Sequence, residues 1–564
     1  MNPQTWNPID LEVPELGTLT GLCFDNRTCQ YTNVPYATIV GRFRRSQPYQ
    51  GTWPGGKLDG TKLGPFPCQP PRDFYPIPNP QRPWAENPST SSTDCLSLNI
   101  SVPSKPTPGA LYPVMVFFHG GAFVYSAGGA AIYDGRALSE ISATLQEPTI
   151  IISVNFRLGV FGFLASKEIR EYNLDLGEQG VGNYGLWDQV EALRWVQRHI
   201  HAFGGDRKRV TLFGQSAGGV SANVHLLRDE PLFSSVIIQS GLLPLCGVLS
   251  VEQYQGIYDR LLRELDIPAD LSPRARLQRL LDTDENRLTA AMVPVSVIPV
   301  ITFSPCDDEH LIGPRKMPVY SEYVDFRPPP WCTRIMIGDV ANECIIWNKS
   351  FRALDAEASI RRIRSFLGDD SKADRLISLY GLDADDSHND NFWKMEKFTT
   401  DGLYTAVNWS LIRNCPSVYA YHFDVPSPFD NDWAGLAHHS LDNVYVWSLL
   451  RDHLPAHHRK VSAEMSRMWL DFANGKEPWE RFDKQGRFMI FQEDCCVMKT
   501  VKEDAVRGYD VWEKVEGEGL LDDFHRVTEE LCMRWKEITD ASKEPNAMTV
   551  GSMKDYGVVR KRSE

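Results

Sequence analysis

A serine in a glycine-rich turn is the first candidate for chemistry. Ser216 stands between Gly214 and Gly218, after an apolar run that ends at Phe213 and before a stretch that can be helical through Leu227. Gly-x-Ser-x-Gly between a strand and a helix is the pattern of a nucleophile elbow, where small residues let the two elements approach closely. We therefore predict that Ser216 is a nucleophile and not an idle serine in a turn.

A serine hydroxyl is a poor nucleophile at neutral pH, so it requires a base and donors for the oxyanion that forms after attack. The segment His-Gly-Gly-Ala-Phe begins at His119 and follows another apolar run. Its paired glycines allow backbone N–H groups to converge on one oxygen. We predict an oxyanion hole built from the N–H groups of Gly120, Gly121 and Ala217, and we expect His119 to fix this loop and not to transfer protons.

Six short apolar runs are candidate strands that would position these loops. Most are continuous, which is typical of strands buried on both faces of a mostly parallel sheet. Between them, Leu186 to Ile200 has apolar residues at a period of 3.6 and is predicted to be a helix. The pattern predicts an α/β fold with helices around a doubly wound sheet, whose ligands bind beyond the carboxyl ends of the strands. The runs are Pro113 to Phe118, Thr149 to Val154, Val210 to Phe213, Val236 to Gln239, Ile335 to Gly338 and Val418 to Phe423.

The composition is that of an acidic globular protein. The 564 residues include 59 Lys and Arg against 73 Asp and Glu, a net charge of −14. This balance argues against a nucleic-acid partner, because binding to phosphates begins with a cationic face. No apolar window approaches the roughly 18 residues that a membrane span requires.

The opening stretch carries Asp10, Glu12 and Glu15 without an apolar run of the kind found in a secretory signal. We therefore expect a cytoplasmic protein, and a secreted one only if the native start is missing from the sequence. Residues 1–541 are predicted to form a single domain, in which helices near Ser462 to Phe472 and Leu520 to Glu537 pack beside the site. Residues 542–564 are predicted to be a polar, frayed tail.

Five motifs in a fixed order resemble the type-B carboxylesterase family, which includes the cholinesterases. They are the elbow, the His-Gly-Gly-Ala-Phe loop, Thr93 to Asn99, Asn155 to Gly159 and Gly182 to Gln189. The resemblance runs from about Asn33 to Trp535. It implies an α/β-hydrolase fold with a helical C-terminal subdomain, in which a serine, a glutamate and a histidine cleave carboxylic esters of small molecules.

The resemblance also selects the acid and the base. The family places the glutamate five residues after the glycine of a strand, which is Glu343 here, and a solvated surface glutamate is the alternative. Cys344 follows it where the family usually has glycine. The segment 438–447 resembles the family's histidine segment and its tail selects His439, with His438 as the alternative. The order of Ser216, Glu343 and His439 is that of α/β-hydrolases.

Substrate preference is less strongly indicated. Gln215 replaces the glutamate that cholinesterases carry beside the serine, which removes one negative charge from the pocket. This change disfavours binding of a quaternary ammonium and favours a neutral metabolite ester. Trp84 is near the position of a choline-stacking tryptophan but one residue out of register, so we expect it to be pocket wall. Phe123, Tyr125 and Trp347 are further candidates for the lining.

Cys68 and Cys95 resemble the family's first disulfide, and the alternative is a pair of reduced thiols. His453 and His457 stand four residues apart, but Pro455 breaks the helix that would bring both rings to one face. Paired glycines elsewhere lack the strand and helix of a dinucleotide site. We therefore expect neither a metal nor a cofactor, and the oligomeric state is open.

Three functions remain to be separated by experiment. The first is ester hydrolysis through an acyl-serine. The second is acyl transfer or lactone chemistry with the same triad in secondary metabolism, because fold and triad do not distinguish water from another alcohol as acceptor. The third is a non-catalytic binding module, as in adhesion proteins that share the fold but lose the serine.

Overall fold

The structure is a computed structural model. It describes residues 5–533 except residues 26, 72–76, 81, 87, 105–108, 297–301, 313–317, 349–350, 416 and 483–485. The predicted tail, residues 542–564, lies outside the described residues.

A mixed sheet of 13 strands crosses the molecule in the order β1-β2-β3-β9-β11-β10-β12-β13-β14-β15-β16-β17, with β6 paired to β2. Along this order, every neighbouring pair from β11 through β10 to β16 is parallel. The neighbouring pairs from β1 to β11, and the pair of β16 and β17, are antiparallel. Two small sheets, β4-β5 and β7-β8, lie apart from it. The strands are Trp6–Val13 (β1), Gly17–Phe24 (β2), Thr28–Pro35 (β3), Ala37–Thr38 (β4), Gln47–Pro48 (β5), Lys57–Asp59 (β6), Phe66–Pro67 (β7), Thr90–Ser91 (β8), Ser97–Pro103 (β9), Tyr112–Phe118 (β10), Ile150–Val154 (β11), Gly205–Gln215 (β12), Ser235–Gln239 (β13), Arg334–Val340 (β14), Val418–Phe423 (β15), Arg487–Phe491 (β16) and Cys496–Thr500 (β17).

All six predicted runs are confirmed as strands, β10 to β15, and they form the centre of the sheet. Along β10, Val114, Val116 and Phe118 pack into the larger apolar core on one face, whereas Met115 and Phe117 pack into a second core on the other face. Because both faces are buried, successive residues must all be apolar, which explains why these strands are continuous runs and not alternating ones.

Helices cover both faces. The predicted helix 186–200 is confirmed as α4, the segment Ser462 to Phe472 lies within α14, and the helix expected from Leu520 begins at Leu521. The helices are Arg136–Thr144 (α1), Gly159–Phe163 (α2), Lys167–Asp175 (α3), Tyr184–His199 (α4), Ala217–Leu226 (α5), Val251–Glu264 (α6), Pro273–Leu281 (α7), Glu285–Val295 (α8), Ala356–Leu367 (α9), Asp370–Leu379 (α10), His388–Thr400 (α11), Ala406–Asn414 (α12), Asp442–Trp447 (α13), Ala456–Ala473 (α14), Tyr509–Gly517 (α15) and Leu521–Met533 (α16).

A buried ion pair joins two of the sequence motifs. Arg157, in the loop after β11, donates from Nε and Nη2 to the carboxylate of Asp188 on α4, at 2.8 and 2.7 Å. Both side chains are almost fully buried, so the two parallel bonds fix this loop against the helix. Within the described residues, no helix is both long and apolar enough to cross a membrane.

Candidate active site

Ser216 lies between β12 and α5 in a conformation that few residues adopt. Its backbone has φ 57° and ψ −126°, and its N–H donates to the carbonyl of Gln239 on the neighbouring strand at 2.9 Å. A non-glycine residue with positive φ is costly, so the surrounding structure must hold it in place. The turn directs the serine to the carboxyl edge of the sheet, as expected of a nucleophile elbow.

The two glycines of the elbow are required by contact. A Cβ at Gly214 would lie 2.1 Å from the carbonyl oxygen of Gly218, and one at Gly218 would lie 1.9 Å from the carbonyl oxygen of Phe118. Real Cβ atoms do not approach oxygen so closely, and therefore any side chain here would push the strand, the helix and the loop after β10 apart.

The predicted oxyanion loop follows β10. The buried ring of His119 lies with Nδ1 2.8 Å from the Gly120 carbonyl, which fits the expected loop-fixing role, and burial lowers the pKa of His119 to about 4. Gly121 has φ +113°, and a Cβ there would lie 2.2 Å from the Tyr125 carbonyl. The N–H groups of Gly120, Gly121 and Ala217 donate to no backbone oxygen of the described residues. Gly120 and Gly121 line the same cavity as Ser216.

Glu343 follows β14 and is completely buried. Its Oε1 accepts the N–H of Val340 at 2.9 Å, and its Oε2 lies 2.5 Å from Nδ1 of His439. This glutamate is therefore not a solvated surface residue. Cys344, the departure from the family pattern, is buried and donates its N–H to Thr400 Oγ1 at 3.0 Å.

The structure distinguishes His439 from its neighbour His438. His439 lies in the loop between β15 and α13, beside the ring of Tyr404, and lines the cavity. His438 instead lies with Nδ1 3.0 Å from the carbonyl of His439, is packed against Trp433 and meets no carboxylate among the described residues. Burial lowers the pKa of His438 to about 4. Of the two, only His439 has the partner that a catalytic base requires.

The link from serine to histidine is not formed in this structure. No hydrogen bond joins Ser216 Oγ to His439 Nε2 among the described residues; the side-chain Nε2 of Gln215 lies 3.1 Å from that ring nitrogen instead. Both Ser216 and His439 border the same cavity. Catalytic hydrogen bonds often form only when substrate is bound.

The cavity has a volume of about 110 Å³, and no Asp, Glu, Lys or Arg of the described residues lines it. Of the five predicted pocket residues, it includes Gln215 and Trp347, whose Nε1 donates to the Tyr404 hydroxyl at 3.1 Å. Sequence reasoning did not single out Asn443, although it follows His439 by only four positions. Its Oδ1 is buried without a hydrogen-bond partner among the described atoms. The apolar walls are Ile77, Ala130, Ile132, Tyr133, Ile346 and Trp347.

The other three predicted pocket residues lie outside this lining. Trp84 packs edge-on against Phe24 at 5.4 Å, with the guanidinium of Arg136 5.0 Å from its ring. Phe123 packs against Phe163, and Tyr125 is buried beneath Gly121.

Cys68 and Cys95 are both buried and both free thiols in the structure. Burial raises the pKa of the Cys68 thiol to about 11, and this thiol contacts the side chains of Thr289, Thr90 and Glu285. The disulfide therefore stays a prediction. A group of possible metal ligands, His457, His458 and Glu493, lies away from the cavity, with ligand atoms within 4.8 Å of one another.

Comparison with known proteins identifies the family. Residues 11–508 match the model of the carboxylesterase family. The chain belongs to this family. Lipase 3 of Yarrowia lipolytica is 26% identical over 491 residues, which are 83% of this chain and 90% of that protein. The para-nitrobenzyl esterase of Bacillus subtilis is 37% identical over 220 residues, 38% of this chain and 41% of that esterase.

Solved structures of other carboxylesterases have the same fold. A para-nitrobenzyl esterase superimposes with a TM-score of 0.68 at 25% identity, over 88% of this chain and 98% of that one. A carboxylesterase of Geobacillus stearothermophilus has a TM-score of 0.69 at 24% identity, over 88% and 99% of the two chains. The fold is thus the α/β-hydrolase fold that the motifs implied, and the protein is a serine hydrolase that cleaves carboxylic esters.

Proposed function

We propose that Ser216 is the nucleophile of this carboxylesterase, that His439 is its base and that Glu343 orients His439. The observation that carries the proposal is the 2.5 Å contact between Glu343 Oε2 and His439 Nδ1, formed beside a cavity that also contains the strained serine. A carboxylate accepts hydrogen bonds only, so Nδ1 carries the proton and Nε2 presents a lone pair. That tautomer is the one that can remove a proton from a hydroxyl.

The reaction then proceeds in two halves. The Ser216 Oγ–H bond breaks as the proton passes to His439 Nε2 and Oγ attacks the ester carbonyl. The resulting oxyanion accepts hydrogen bonds from the N–H groups of Gly120, Gly121 and Ala217. His439 returns the proton to the leaving alcohol, and a water activated in the same way releases the acyl group and restores the serine.

We further propose that the substrate is a neutral small-molecule ester. The lining is apolar on most sides and lacks formal charges among its described side chains, and the residue before the serine is the amide Gln215. A cationic alcohol group would lose hydration on entering such a cavity without gaining a partner charge.

Labelling by a fluorophosphonate, followed by intact mass and peptide mapping, tests the nucleophile. We expect one adduct on Ser216, none on Ser216→Ala, and a loss of at least ~10³ in kcat for that variant with p-nitrophenyl butyrate. Ser378→Ala is the matched control, because Ser378 is exposed on α10 and is not part of the cavity lining. Activity retained in Ser216→Ala would refute the assignment.

The substrate class is tested with two esters of one shape. Butyrylcholine and 3,3-dimethylbutyl butyrate differ in the charge of the alcohol group, and we expect roughly tenfold or more higher kcat/KM for the uncharged ester. A preference for the cation would contradict the proposal. Product analysis with added short alcohols separates hydrolysis from acyl transfer.

A further inference from the structure

Gln215 contacts the ring nitrogen of His439 that the serine hydroxyl needs. Its side-chain Nε2 lies 3.1 Å from Nε2 of His439, although the two residues are 224 positions apart in the chain. Gln215 is the last residue of β12 and is almost completely buried. Its side chain borders the cavity together with Ser216 and His439. The base of the free enzyme is therefore occupied by a neighbour that the catalytic steps above do not use.

The protonation of the ring determines which group of the amide it meets. Since Nδ1 donates to Glu343, the neutral ring has a lone pair at Nε2, and only the NH₂ group of Gln215 can satisfy it. The arrangement of donors and acceptors is thus consistent from Glu343 through His439 to Gln215. A glutamate at this position could not donate to the neutral ring, whereas it would bind the protonated ring strongly.

Gly120 makes room for this contact. A Cβ on Gly120 would lie 2.7 Å from Gln215 Oε1 and 3.0 Å from the Cβ of Ser216. The glycine therefore does more than present an N–H group to the oxyanion, because it also leaves space in which the amide can lie across the mouth of the oxyanion loop and reach the imidazole.

We propose that Gln215 is a positioning residue that caps the lone pair of His439 Nε2 in the free enzyme and withdraws from it when an ester enters. While the cap is in place, the imidazole stays neutral and oriented, and Ser216 Oγ has no acceptor for its proton. When the cap withdraws, the Oγ–H bond breaks as the N–H bond forms at Nε2. This inference rests on the proposed roles of Ser216 and His439.

The test compares Gln215→Met, which keeps the length of the side chain but cannot donate, with the wild-type enzyme. One hydrogen bond is worth about 1 kcal/mol net, so uncapping the base should raise the second-order rate constant of fluorophosphonate labelling about three- to tenfold. Gln215→Asn is too short to reach the ring and should behave likewise, so it serves if the methionine variant fails to fold. Gln197→Met is the control, because Gln197 on α4 bonds only the carbonyls of Arg207 and Leu232 and should label at the wild-type rate.

The pH profile of kcat/KM is a second measurement, and it should not change if Gln215 has a purely structural role. Donation by Gln215 stabilises the neutral ring, so its loss should move the midpoint of the acid limb to higher pH, and Gln215→Glu should move it further. The expected order of midpoints is glutamine, methionine, glutamate. The other titratable groups that face His439 are Glu343, His438, Tyr404 and Asp442, and they are present in every variant.

Two results have different meanings. If Gln215→Met and Gln215→Asn label no faster than the wild type and the midpoint does not move, Gln215 does not cap the base and this inference is refuted. If the wild type itself is not labelled on Ser216, the proposed function fails, whatever the Gln215 variants do.

Discussion

Two buried carboxylate–histidine pairs lie near the carboxyl end of β14, and one of them contributes its histidine to the lining of the cavity beside Ser216. Glu343 Oε2 lies 2.5 Å from Nδ1 of His439, and Asp339 Oδ1 lies 2.6 Å from Nδ1 of His422. All four side chains are buried. By distance and burial alone, either pair could be the acid and base of a hydrolase.

The other ring nitrogen separates them. Nε2 of His422 lies 2.9 Å from the hydroxyl of Tyr509, which donates its own proton to Asp504 at 3.0 Å. A buried hydroxyl therefore occupies Nε2 of His422, and this histidine is not among the residues that line the cavity. His439 keeps a lone pair beside the cavity. A carboxylate orients the histidine in both pairs, whereas the surroundings of Nε2 decide whether the ring can act as a base.

The largest expected effect is on the chemistry of the first pair. Glu343→Gln keeps the shape of the side chain, but the N–H of Val340 retains the amide oxygen, so the NH₂ group faces His439 Nδ1 and favours the wrong tautomer. We expect kcat to fall by about 10³ to 10⁴. The melting temperature, followed by circular dichroism, should change little by comparison. An enzyme that retains a tenth of its kcat after this substitution would contradict the role of Glu343.

A substitution in the pair of Asp339 and His422 should instead change the stability of the protein. Burial alone would raise the pKa of Asp339, but the adjacent His422 and Arg507 outweigh it and lower that pKa below its ordinary value. Asp339→Ala leaves the buried Nδ1 of His422 and the amide of Asn408 without their carboxylate, whereas Arg507 keeps Asp424 and Asp504, so we expect the free energy of unfolding to fall by about 3–5 kcal/mol in urea titrations. The kcat per labelled serine should stay within about threefold of the wild type. A larger loss of kcat in folded protein would place Asp339 in the chemistry.

His438 is a buried histidine that meets no carboxylate among the described residues, and we expect its contribution to the free energy of unfolding to depend on pH. Burial lowers the pKa of His438 to about 4, below its ordinary value near 6.5. The unfolded chain therefore binds this proton first as the pH falls, and stability that is full above pH 6.5 is lost towards pH 4, by up to about 3 kcal/mol. His438→Asn should lose correspondingly less between pH 7 and pH 4.5 in urea titrations.

The exposed His453 provides the control, because His453→Asn should follow the wild-type curve. If His438→Asn also loses stability in parallel with the wild type, the buried ring is not the group that takes up the proton.

The smallest effect is expected from removing the Tyr509 hydroxyl, which contacts Nε2 of His422. Tyr509→Phe removes the acceptor of His422 and the donor to Asp504, both in buried surroundings. We expect a loss of about 1–3 kcal/mol in the free energy of unfolding and an unchanged kcat/KM for p-nitrophenyl butyrate. A variant as stable as the wild type would mean that the hydroxyl does not stabilise this pair.

Local patterns made the centre of the fold predictable, and they singled out Ser216 as the candidate nucleophile. Strands β10 to β15 are buried on both faces, so their composition identifies them without further information. The loop at Ser216 is fixed by close contacts at Gly214 and Gly218 that only glycine allows. The edge strand β1 was not predicted, because most of its side chains are exposed and its sequence lacks an apolar run.

The contacts across the site were less accessible to sequence reasoning. Glu343 and His439 were selected by resemblance, since nothing in their spacing of 96 positions shows that they meet. The contact of Gln215 with His439 depends on a side-chain conformation at a strand end, and the pair of Asp339 and His422 depends on the register of β14 against β15. Trp84 packs against Phe24 and Arg136 and does not line the cavity, and its position in the sequence does not show this.

The loops that carry Glu343 and His439, the proposed acid and base, are joined to each other by backbone. Asn342 pairs with His438, and its N–H donates to the carbonyl of Ala437 at 2.9 Å, so the residues just before Glu343 and His439 form one short ladder. Heat or denaturant that opens this backbone pairing would displace Glu343 and His439 in one step. We expect thermal inactivation to displace Glu343 and His439 together, without an intermediate in which only the glutamate is misplaced.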